Sequence, residues 1–256
     1  MSLRLAVLGF AGAAPLEGAC SSYAISDGER IVLLDCGPGT LERMWRFGML
    51  GKLDAIVISH MHADHVLDLV LFAGELVRGE LAGKRPLLYL PAADGLRVLE
   101  ALDAAFSRTA HSSRRFESTF KVSEYKAADK LAIGALELDF VASAHPQPCN
   151  AIRVRNGDAT IVYGADGGPS EAVQRLATNS DLLVLEATFP NDATMAAAHA
   201  HMTATQAGEL ATRARAQRLL LTHLLPGSGR ELLAHARSTY HGRIDLAREG
   251  LTYDLI

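Results

Sequence analysis

Short apolar runs alternate with turn residues along the whole chain. Runs rich in Val, Ile and Leu that end at Gly, Pro, Asn, Asp or Ser predict buried strands. Windows with apolar residues three and four positions apart predict helices with one buried face. The predicted strands cover 3–8, 22–25, 30–35, 54–59, 87–90, 136–141, 151–154, 160–163, 181–185 and 219–222, and the predicted helices cover 40–49, 65–78, 94–106, 170–178, 203–214 and 229–240.

The order of these elements separates two strand-rich halves, each followed by helices. This order favours an α/β (α+β) fold in which sheets pack on each other with helices outside, over a single doubly wound sheet. The sequence contains no internal repeat, low-complexity tract or Pro/Ser-rich linker. We therefore expect one domain that spans residues 1–256.

Composition and charge narrow the functional class. The chain is 49% hydrophobic, as packed globular proteins are, and its net charge of −4 gives no support for binding many nucleic-acid phosphates. Three cysteines at positions 20, 36 and 149 indicate reduced thiols. The N-terminal apolar stretch is too short for a signal-peptide core, and no segment approaches the ~20 apolar residues that span a bilayer. We expect a cytoplasmic protein without a membrane contact, for which nucleic acid is not the expected partner.

A cluster of metal-ligand side chains follows the predicted strand 54–59. Within Ser59-His-Met-His-Ala-Asp-His65 there are four potential ligands: His60, His62, Asp64 and His65. Imidazole and carboxylate are the ligands that zinc, manganese or iron use. In an extended segment His60, His62 and Asp64 point to one side, whereas a helix starting there would turn His65 toward a second metal.

Three further candidates each stand where an apolar strand gives way to a turn. They are His145, Asp166 and His223. Residues at such positions are the ones that a sheet presents to a site. A loop of solvated histidines is the alternative interpretation. The series of three, added to the cluster at the end of another strand, favours a metal site.

The chain resembles the metallo-β-lactamase superfamily over essentially its whole length. The residues that carry the resemblance are the cluster from His60 to His65, then His145, Asp166 and His223 in the same order. The resemblance implies a four-layer αββα sandwich with two divalent metal ions, expected to be zinc with manganese or iron as alternatives, at the edge between the sheets. It also implies that His60, His62 and His145 bind the first metal, that Asp64, His65 and His223 bind the second, and that Asp166 bridges both.

Two metals about 3.5–4 Å apart lower the pKa of a shared water, so that no protein nucleophile is required. Neither Cys36 nor Cys149 is therefore expected to act as one. Asp35 is a candidate for orienting a ligand histidine, with a purely structural role as the alternative.

Two segments resemble the ribonuclease Z and phosphodiesterase branch of the superfamily. They are Leu185-Glu-Ala-Thr-Phe189 and His201-Met-Thr-Ala-Thr-Gln-Ala207. In that branch the histidine contacts the scissile phosphate and the glutamate supports it. The resemblance thus implies that His201 assists the leaving oxygen, with Glu186 behind it, and Asp64 completes the catalytic candidates. A surface histidine with a salt-bridge partner is the alternative.

The spacing departs from ribonuclease Z in one respect. Only 20 residues separate His145 and Asp166, which leaves no room for the projecting tRNA-binding arm that bacterial ribonuclease Z carries there. The chain is in this respect more similar to small-molecule phosphodiesterases of the phosphoribosyl cyclic phosphodiesterase type. Asp166 is also followed by Gly167, where the family frequently has threonine, so the sequence does not determine how Asp166 bridges the two metals.

We therefore expect a dinuclear metal-dependent hydrolase that acts on small or cyclic phosphodiesters, and thus on a small anionic substrate. Three alternatives are weighed against it: hydrolysis of a thioester, lactone or β-lactam, ribonuclease Z-like RNA processing, and a non-enzymatic metal-binding accessory protein. A redox diiron protein is disfavoured because His62 stands where that branch typically has a carboxylate. A homodimer is compatible with the resemblance, since relatives of this kind are often dimers.

The remaining features carry less weight. The turn 9–12 is expected to be a wall of the site or a simple turn. Residues 106–130 mix basic and aromatic side chains and suggest a lid or rim for an anionic substrate, with a solvated face as the alternative; they include Phe106, Arg108, His111, Arg114, Arg115, Phe116, Phe120, Lys121, Tyr125, Lys126 and Lys130. We expect His199, His235 and His241 to be surface residues.

Overall fold

The computed structural model describes residues 2–106 and 115–255. Its strands are β1 (Leu3–Gly9), β2 (Ser22–Ser26), β3 (Ile31–Leu34), β4 (Leu53–Val57), β5 (Leu87–Pro91), β6 (Lys121–Tyr125), β7 (Lys130–Ile133), β8 (Leu136–Ala142), β9 (Asn150–Asn156), β10 (Ala159–Tyr163), β11 (Leu182–Glu186), β12 (Arg218–Thr222), β13 (Arg243–Leu246) and β14 (Thr252–Leu255). Its α-helices are α1 (Thr40–Arg46), α2 (Ala63–Val66), α3 (Asp68–Arg78), α4 (Gly95–Phe106), α5 (Arg115–Thr119), α6 (Glu171–Leu176), α7 (Ala193–Ala198), α8 (Ala204–Ala214) and α9 (Gly229–Arg237), and Leu50–Lys52 form a 3-10 turn.

The strands form two seven-stranded sheets with the same design. The first sheet has the order β14-β1-β2-β3-β4-β5-β6, and the second has the order β13-β12-β11-β10-β9-β8-β7. In the first sheet β14 to β3 are antiparallel neighbours and β3 to β6 are parallel. In the second sheet β7 to β10 are antiparallel and β10 to β13 are parallel. Each sheet is therefore mixed.

The two sheets pack face to face, and helices cover their outer faces. On β1 the side chains of Leu3, Leu5 and Val7 face the second sheet, whereas Ala6 and Leu8 face the helix layer. Strands buried on both faces need apolar residues throughout, which explains the continuous apolar runs in the sequence. Helices α3, α4 and α5 pack on the first sheet, and α6, α8 and α9 pack on the second. This arrangement confirms the predicted αββα sandwich.

The predicted lid at residues 106–130 is partly wrong. The side chains of Phe116 and Phe120 are buried under α3 and α4, and that of Tyr125 is buried between the sheets. Lys121 and Lys130 begin β6 and β7. These three aromatic side chains therefore belong to the core, whereas Phe106 at the end of α4 is 51% exposed. Arg108, His111 and Arg114 lie outside the described residues.

Among the described residues no helix is long and apolar enough to cross a membrane.

The predicted helix 65–78 is divided into α2 and α3, with Leu67 between them. Two of the candidate ligands, Asp64 and His65, lie on the short helix α2.

Candidate metal centre

The histidine cluster begins where β4 ends. His60 and His62 lie between β4 and α2, and His62 is extended, with φ −68° and ψ 151°. Helix α2 starts at Ala63, so Asp64 and His65 are helical. The expectation that Asp64 shares the side of His60 and His62 is therefore corrected, because strand alternation stops at His62 and the helix turns Asp64 toward the second group of ligands.

The distant candidates come from three different strand ends. His145 lies on the loop between β8 and β9, Asp166 follows β10, and His223 follows β12. His223 has φ 55° and Ala165, directly before Asp166, has φ 54°. Non-glycine residues rarely adopt this left-handed conformation, and it is concentrated at functional sites. The backbone therefore bends sharply at two of the three positions that aim a candidate ligand into the site.

The structure brings all seven predicted ligands together in two groups. His60, His62, His145 and Asp166 form the first group, and Asp64, His65, Asp166 and His223 form the second. In each group the potential ligand atoms lie within 4.8 Å of one another. Asp166 belongs to both groups: its Oδ2 is 3.7 Å from Nε2 of His60, and its Oδ1 is 3.4 Å from Nε2 of His65.

Hydrogen bonds at Nδ1 fix the orientation of four of the five candidate ligand histidines. His65 donates from Nδ1 to Asp35 at 2.7 Å, and His145 donates to the carbonyl of Gln147 at 3.1 Å. The hydroxyls of Ser59 and Thr188 accept from Nδ1 of His60 and His223, because each hydroxyl donates its own hydrogen to a carboxylate. With Nδ1 engaged in this way, Nε2 is the atom of each ring that a cation would bind.

The donor set fits a pair of divalent metal ions. Nε2 of His60 and Nε2 of His65 are buried and have no hydrogen-bond partner among the described residues. Leaving such atoms unpaired is costly, and one cation in each group, shared with Asp166, would satisfy both. Histidine nitrogens with carboxylate oxygens are typical ligands of zinc and of other first-row metals.

Asp35 is the buried carboxylate that supports His65. It accepts hydrogen bonds from the Ser59 N–H at 2.7 Å, the Ser59 hydroxyl at 2.8 Å and the Tyr163 hydroxyl at 2.8 Å, in addition to His65. Its backbone has φ 61°. Asp35 thus contacts a ligand histidine directly and another, His60, through Ser59.

Glu186 lies on the other side of the site, with its side chain 1% exposed. Its carboxylate accepts from Nδ1 of His201 at 2.9 Å, from the Thr188 hydroxyl at 2.7 Å and from the backbone N–H of Gly167 at 2.6 Å. Gly167 has φ 149°, a conformation that glycine tolerates and other residues rarely adopt. The glycine that stands in place of the family's frequent threonine is therefore required by this turn.

His201 lies between the two groups of ligands. Its ring centroid is 5.0 Å from that of His223 and 6.1 Å from that of His145. Its side chain is 18% exposed. Glu186, His201 and His223 lie close enough together to suggest a third metal group, but the hydrogen bonds of Glu186 to His201 and to Thr188 already use their facing atoms. We therefore interpret these residues as a hydrogen-bonded cluster.

The buried carboxylates and imidazoles shift one another's pKa values. Burial alone would lower the pKa of His223, but Asp166 and Asp64 raise it to about 9. Burial would likewise lower the pKa of His65, yet Asp166 and Asp35 hold it well above its ordinary value. Burial and the neighbouring His65 keep the pKa of His60 well below the ordinary value. Without a metal ion, the second group therefore retains protons while His60 remains neutral.

The turn after β1 forms a wall of the site. The backbone N–H of Ala13 donates to Oδ2 of Asp64 at 2.9 Å. A Cβ atom at Gly12 would lie 2.6 Å from Nδ1 of His223, so this glycine lets the backbone approach the imidazole closely. The sequence suggests a turn here, but it contains no signal for these contacts.

The remaining candidates lie away from the two ligand groups. Burial raises the pKa of the Cys36 and Cys149 thiols well above the ordinary value, so neither is a thiolate nucleophile. His199 is exposed and stacks on Phe189, and His241 is exposed. His235 lies 3.8 Å from Glu231 on α9. These three histidines are surface residues, as expected.

Comparison with known proteins places the fold in a family. A family model described as a beta-lactamase superfamily domain matches residues 30–224. The probable metallo-hydrolase YhfI of Bacillus subtilis is 28% identical over 98% of this chain and 100% of its own length. Its crystal structure superposes with a TM-score of 0.84 over 99% of this chain and 100% of that one.

Two further comparisons fit the same fold. Ribonuclease Z of Haloarcula marismortui is 28% identical over 98% of this chain and 96% of its own length. A diphosphatase from the PhnP family superposes with a TM-score of 0.72 at 20% identity, covering 98% of this chain and 97% of that one. Because the family model matches well over half of the chain, the protein belongs to the metallo-β-lactamase superfamily.

Proposed function

We propose that this protein is a metal-dependent phosphodiesterase that acts on small or cyclic phosphodiesters with two divalent metal ions. The observation that carries the proposal is the hydrogen bond between His201 and Glu186, 2.9 Å long, beside His223. A buried carboxylate that holds an accessible histidine next to a metal group is suited to protonating a leaving oxygen. A thioester, in contrast, releases a thiolate, which leaves without such a proton.

The metal ions, for which zinc is proposed, would be held by the two groups of ligands. His60, His62 and His145 would bind one ion, Asp64, His65 and His223 the other, and Asp166 both. When bound, such ions lower the pKa of water and neutralise charge on phosphate oxygens. The chain's own residues supply the rest of the chemistry.

Those residues hold and move a proton at His201. Nδ1 of His201 is engaged by Glu186, so Nε2 is the atom available to a substrate. Burial lowers the pKa of His201, but the hydrogen bond and the charge of Glu186 outweigh it and raise the pKa above the ordinary value. His201 therefore carries a proton that it can give to the leaving oxygen of a phosphodiester.

The proposed substrate is small and anionic. The alignment to Haloarcula ribonuclease Z extends over 300 positions, more than this chain has residues, so that enzyme has segments without a counterpart here. The short loop between His145 and Asp166 and the net charge of −4 also favour a small substrate over tRNA. The PhnP-family diphosphatase provides a precedent for phosphate chemistry on this fold.

RNA processing is the second candidate function, because ribonuclease Z is among the relatives at 28% identity. The two functions predict different substrates for one site. A precursor tRNA with a 3′ extension would be cleaved by a ribonuclease, whereas a cyclic phosphodiester would be opened by the enzyme proposed here. Measuring the cleavage of both substrates at matched enzyme concentration decides between the two functions.

The first test combines metal analysis with turnover of bis(p-nitrophenyl) phosphate by protein loaded with zinc or manganese. We expect about two metal ions per chain and turnover that is lost after chelation. Two bound ions without turnover of any phosphodiester would contradict the proposed substrate class. Binding of no metal would contradict the metal centre itself.

A further inference from the structure

His145 lies on the loop between β8 and β9, and the residues that precede it are fixed to the second sheet. Gly168 donates from its N–H to the carbonyl of Ala144 at 3.0 Å, and the Ser143 hydroxyl donates to the carbonyl of Asp166 at 2.7 Å. These contacts secure one side of the loop. On the side that follows His145, the carbonyl of Cys149 accepts from the N–H of Ser143 at 2.9 Å, and Pro146, Gln147 and Pro148 lie between these two ends of the loop.

A second anchor of the loop comes from the first sheet. The side-chain amide of Gln147 donates from Nε2 to Oδ2 of Asp94 at 2.9 Å. Asp94 lies between β5 and α4 and is 8% exposed. Arg97 approaches the same oxygen only to 4.0 Å, and its own side chain is 74% exposed. Gln147 is thus the closest donor to this oxygen among the described residues, and the contact joins a loop of the first sheet to a loop of the second.

The backbone around Gln147 connects this contact to His145. Pro146 and Pro148 flank Gln147, and a residue that precedes proline is restricted to extended conformations. The carbonyl of Gln147 accepts the Nδ1 hydrogen of His145 at 3.1 Å. A stiff tripeptide therefore connects the Asp94 contact with the hydrogen bond that orients the imidazole.

We propose that Asp94 and Gln147 are a positioning pair for His145 and set the metal affinity of the first ligand group, His60, His62, His145 and Asp166. The inference rests on the proposed metal centre and goes beyond it by assigning roles to two residues that contact no metal. Loss of a partner that orients a ligand typically weakens metal binding 10- to 100-fold. The second group, which does not contain His145, is unaffected.

The test exchanges the amide of Gln147 and the carboxylate of Asp94. Gln147→Glu places a carboxylate against Asp94, whereas Gln147→Glu with Asp94→Asn restores an amide opposite a carboxylate in reverse order. Zinc binding by the apo proteins is titrated against a chromophoric chelator, both in the natural background and with His223→Ala, which leaves only the first group complete. We expect Gln147→Glu to weaken the first group about tenfold, and the double variant to return to within about twofold of the unaltered chain.

A matched control exists at the far end of the second sheet. Gln217 donates from Nε2 to Asp181 at 2.7 Å, so Gln217→Glu adds the same charge to the same kind of pair. We expect it to leave both zinc affinities unchanged. The visible absorption of the Co²⁺-loaded proteins adds a second readout, because an altered His145 geometry changes the ligand field of the first group.

The outcomes separate this inference from the proposed function. If the unaltered chain binds two zinc ions and Gln147→Glu behaves like Gln217→Glu, or if Asp94→Asn fails to restore binding, the positioning pair is refuted while the metal centre stands. If the unaltered chain binds no zinc, the metal centre itself is refuted. Should Gln147→Glu unfold the protein, Gln147→Ala removes the donor without adding charge and supports the same comparison.

Discussion

Glu186 accepts the Nδ1 hydrogen of His201 at 2.9 Å, and the same oxygen accepts the backbone N–H of Gly167 at 2.6 Å. One carboxylate therefore fixes His201 and the residue that follows Asp166. Its other oxygen accepts from Thr188, which supports His223. The buried side chain of Glu186 thus contacts the proposed proton donor and also the neighbours of Asp166 and His223.

Replacing His201 with alanine tests its role as a proton donor. We expect kcat to fall by about 10²- to 10⁴-fold, because general acid catalysis contributes that much. The loss depends on the leaving group: a diester with an alkoxide leaving group needs the proton, whereas p-nitrophenolate leaves without much help. The measurement compares both substrates at full metal occupancy, and we expect the larger loss for the alkoxide.

The control for this variant is His199→Ala, two residues away on the exposed surface. It removes an imidazole from the same segment, and we expect its kcat to match the unaltered protein. Equal losses of His201→Ala on both substrates would show that His201 does not protonate the leaving oxygen.

Metal binding releases protons in a way that the pKa shifts predict. In the metal-free chain the pKa of His223 is raised to about 9 because Asp166 and Asp64 outweigh burial, and the pKa of His65 is also raised. Zinc binds neutral imidazole, so at pH 7 it displaces these protons, and its apparent affinity rises with pH and levels off above about pH 9. Calorimetry of zinc binding in two buffers of different ionisation enthalpy measures the release, which we expect to be about one to two protons per chain at pH 7. A release of zero at pH 7 contradicts the protonated state of the second group.

The sequence predicts the central strands of both sheets and misses four of the strands. The missed strands are β6, β7, β13 and β14, and these are the outermost strands of the two sheets. An outermost strand pairs on one side only and is partly exposed, so it mixes Lys, Arg, Glu and Asp with apolar residues. In β6 only Tyr125 is fully buried. The apolar run that identifies a central strand is therefore absent where the sheet ends.

The candidate site divides in the same way. The candidate ligands are predictable because four imidazoles and carboxylates lie within six residues after one strand, and three more follow other strands. The supporting groups are not: Ser59, Thr188 and Tyr163 are single hydroxyls within ordinary sequence, and their contacts depend on how the sheets pack. Asp94 and Gln147 meet only because loops of different sheets converge. Such contacts have no local pattern from which to predict them.

Replacing Asp35 tests the support of His65. Asp35→Ala leaves four buried donors without an acceptor and places alanine at φ 61°. We expect the free energy of unfolding to fall by about 3–5 kcal/mol, as for other buried groups that lose a charged partner. Asp35→Asn tolerates the left-handed backbone and retains one acceptor, so we expect a smaller loss of stability with zinc affinity about 10- to 100-fold weaker.

Chemical denaturation and zinc titration provide the measurements for both variants. Asp68→Asn is the matched control, because Asp68 is also buried but its hydrogen bonds go to the backbone N–H groups of Gly39 and Leu41. We expect it to affect stability and to leave zinc affinity unchanged. Equal zinc affinities for Asp35→Asn and Asp68→Asn would argue against the support of His65 by Asp35.

Gly12→Ala tests whether the turn after β1 shapes the second group of ligands. The added Cβ would lie 2.6 Å from Nδ1 of His223, closer than such atoms approach in proteins, so either the turn or the imidazole must shift. A shift of the imidazole would break its 2.8 Å hydrogen bond to Thr188. We expect zinc affinity of the second group to fall about tenfold. Gly51→Ala is the control, since a Cβ there meets no atom within 4 Å. If both variants bind zinc as the unaltered chain does, the turn yields without moving His223, and its close approach does not position this ligand.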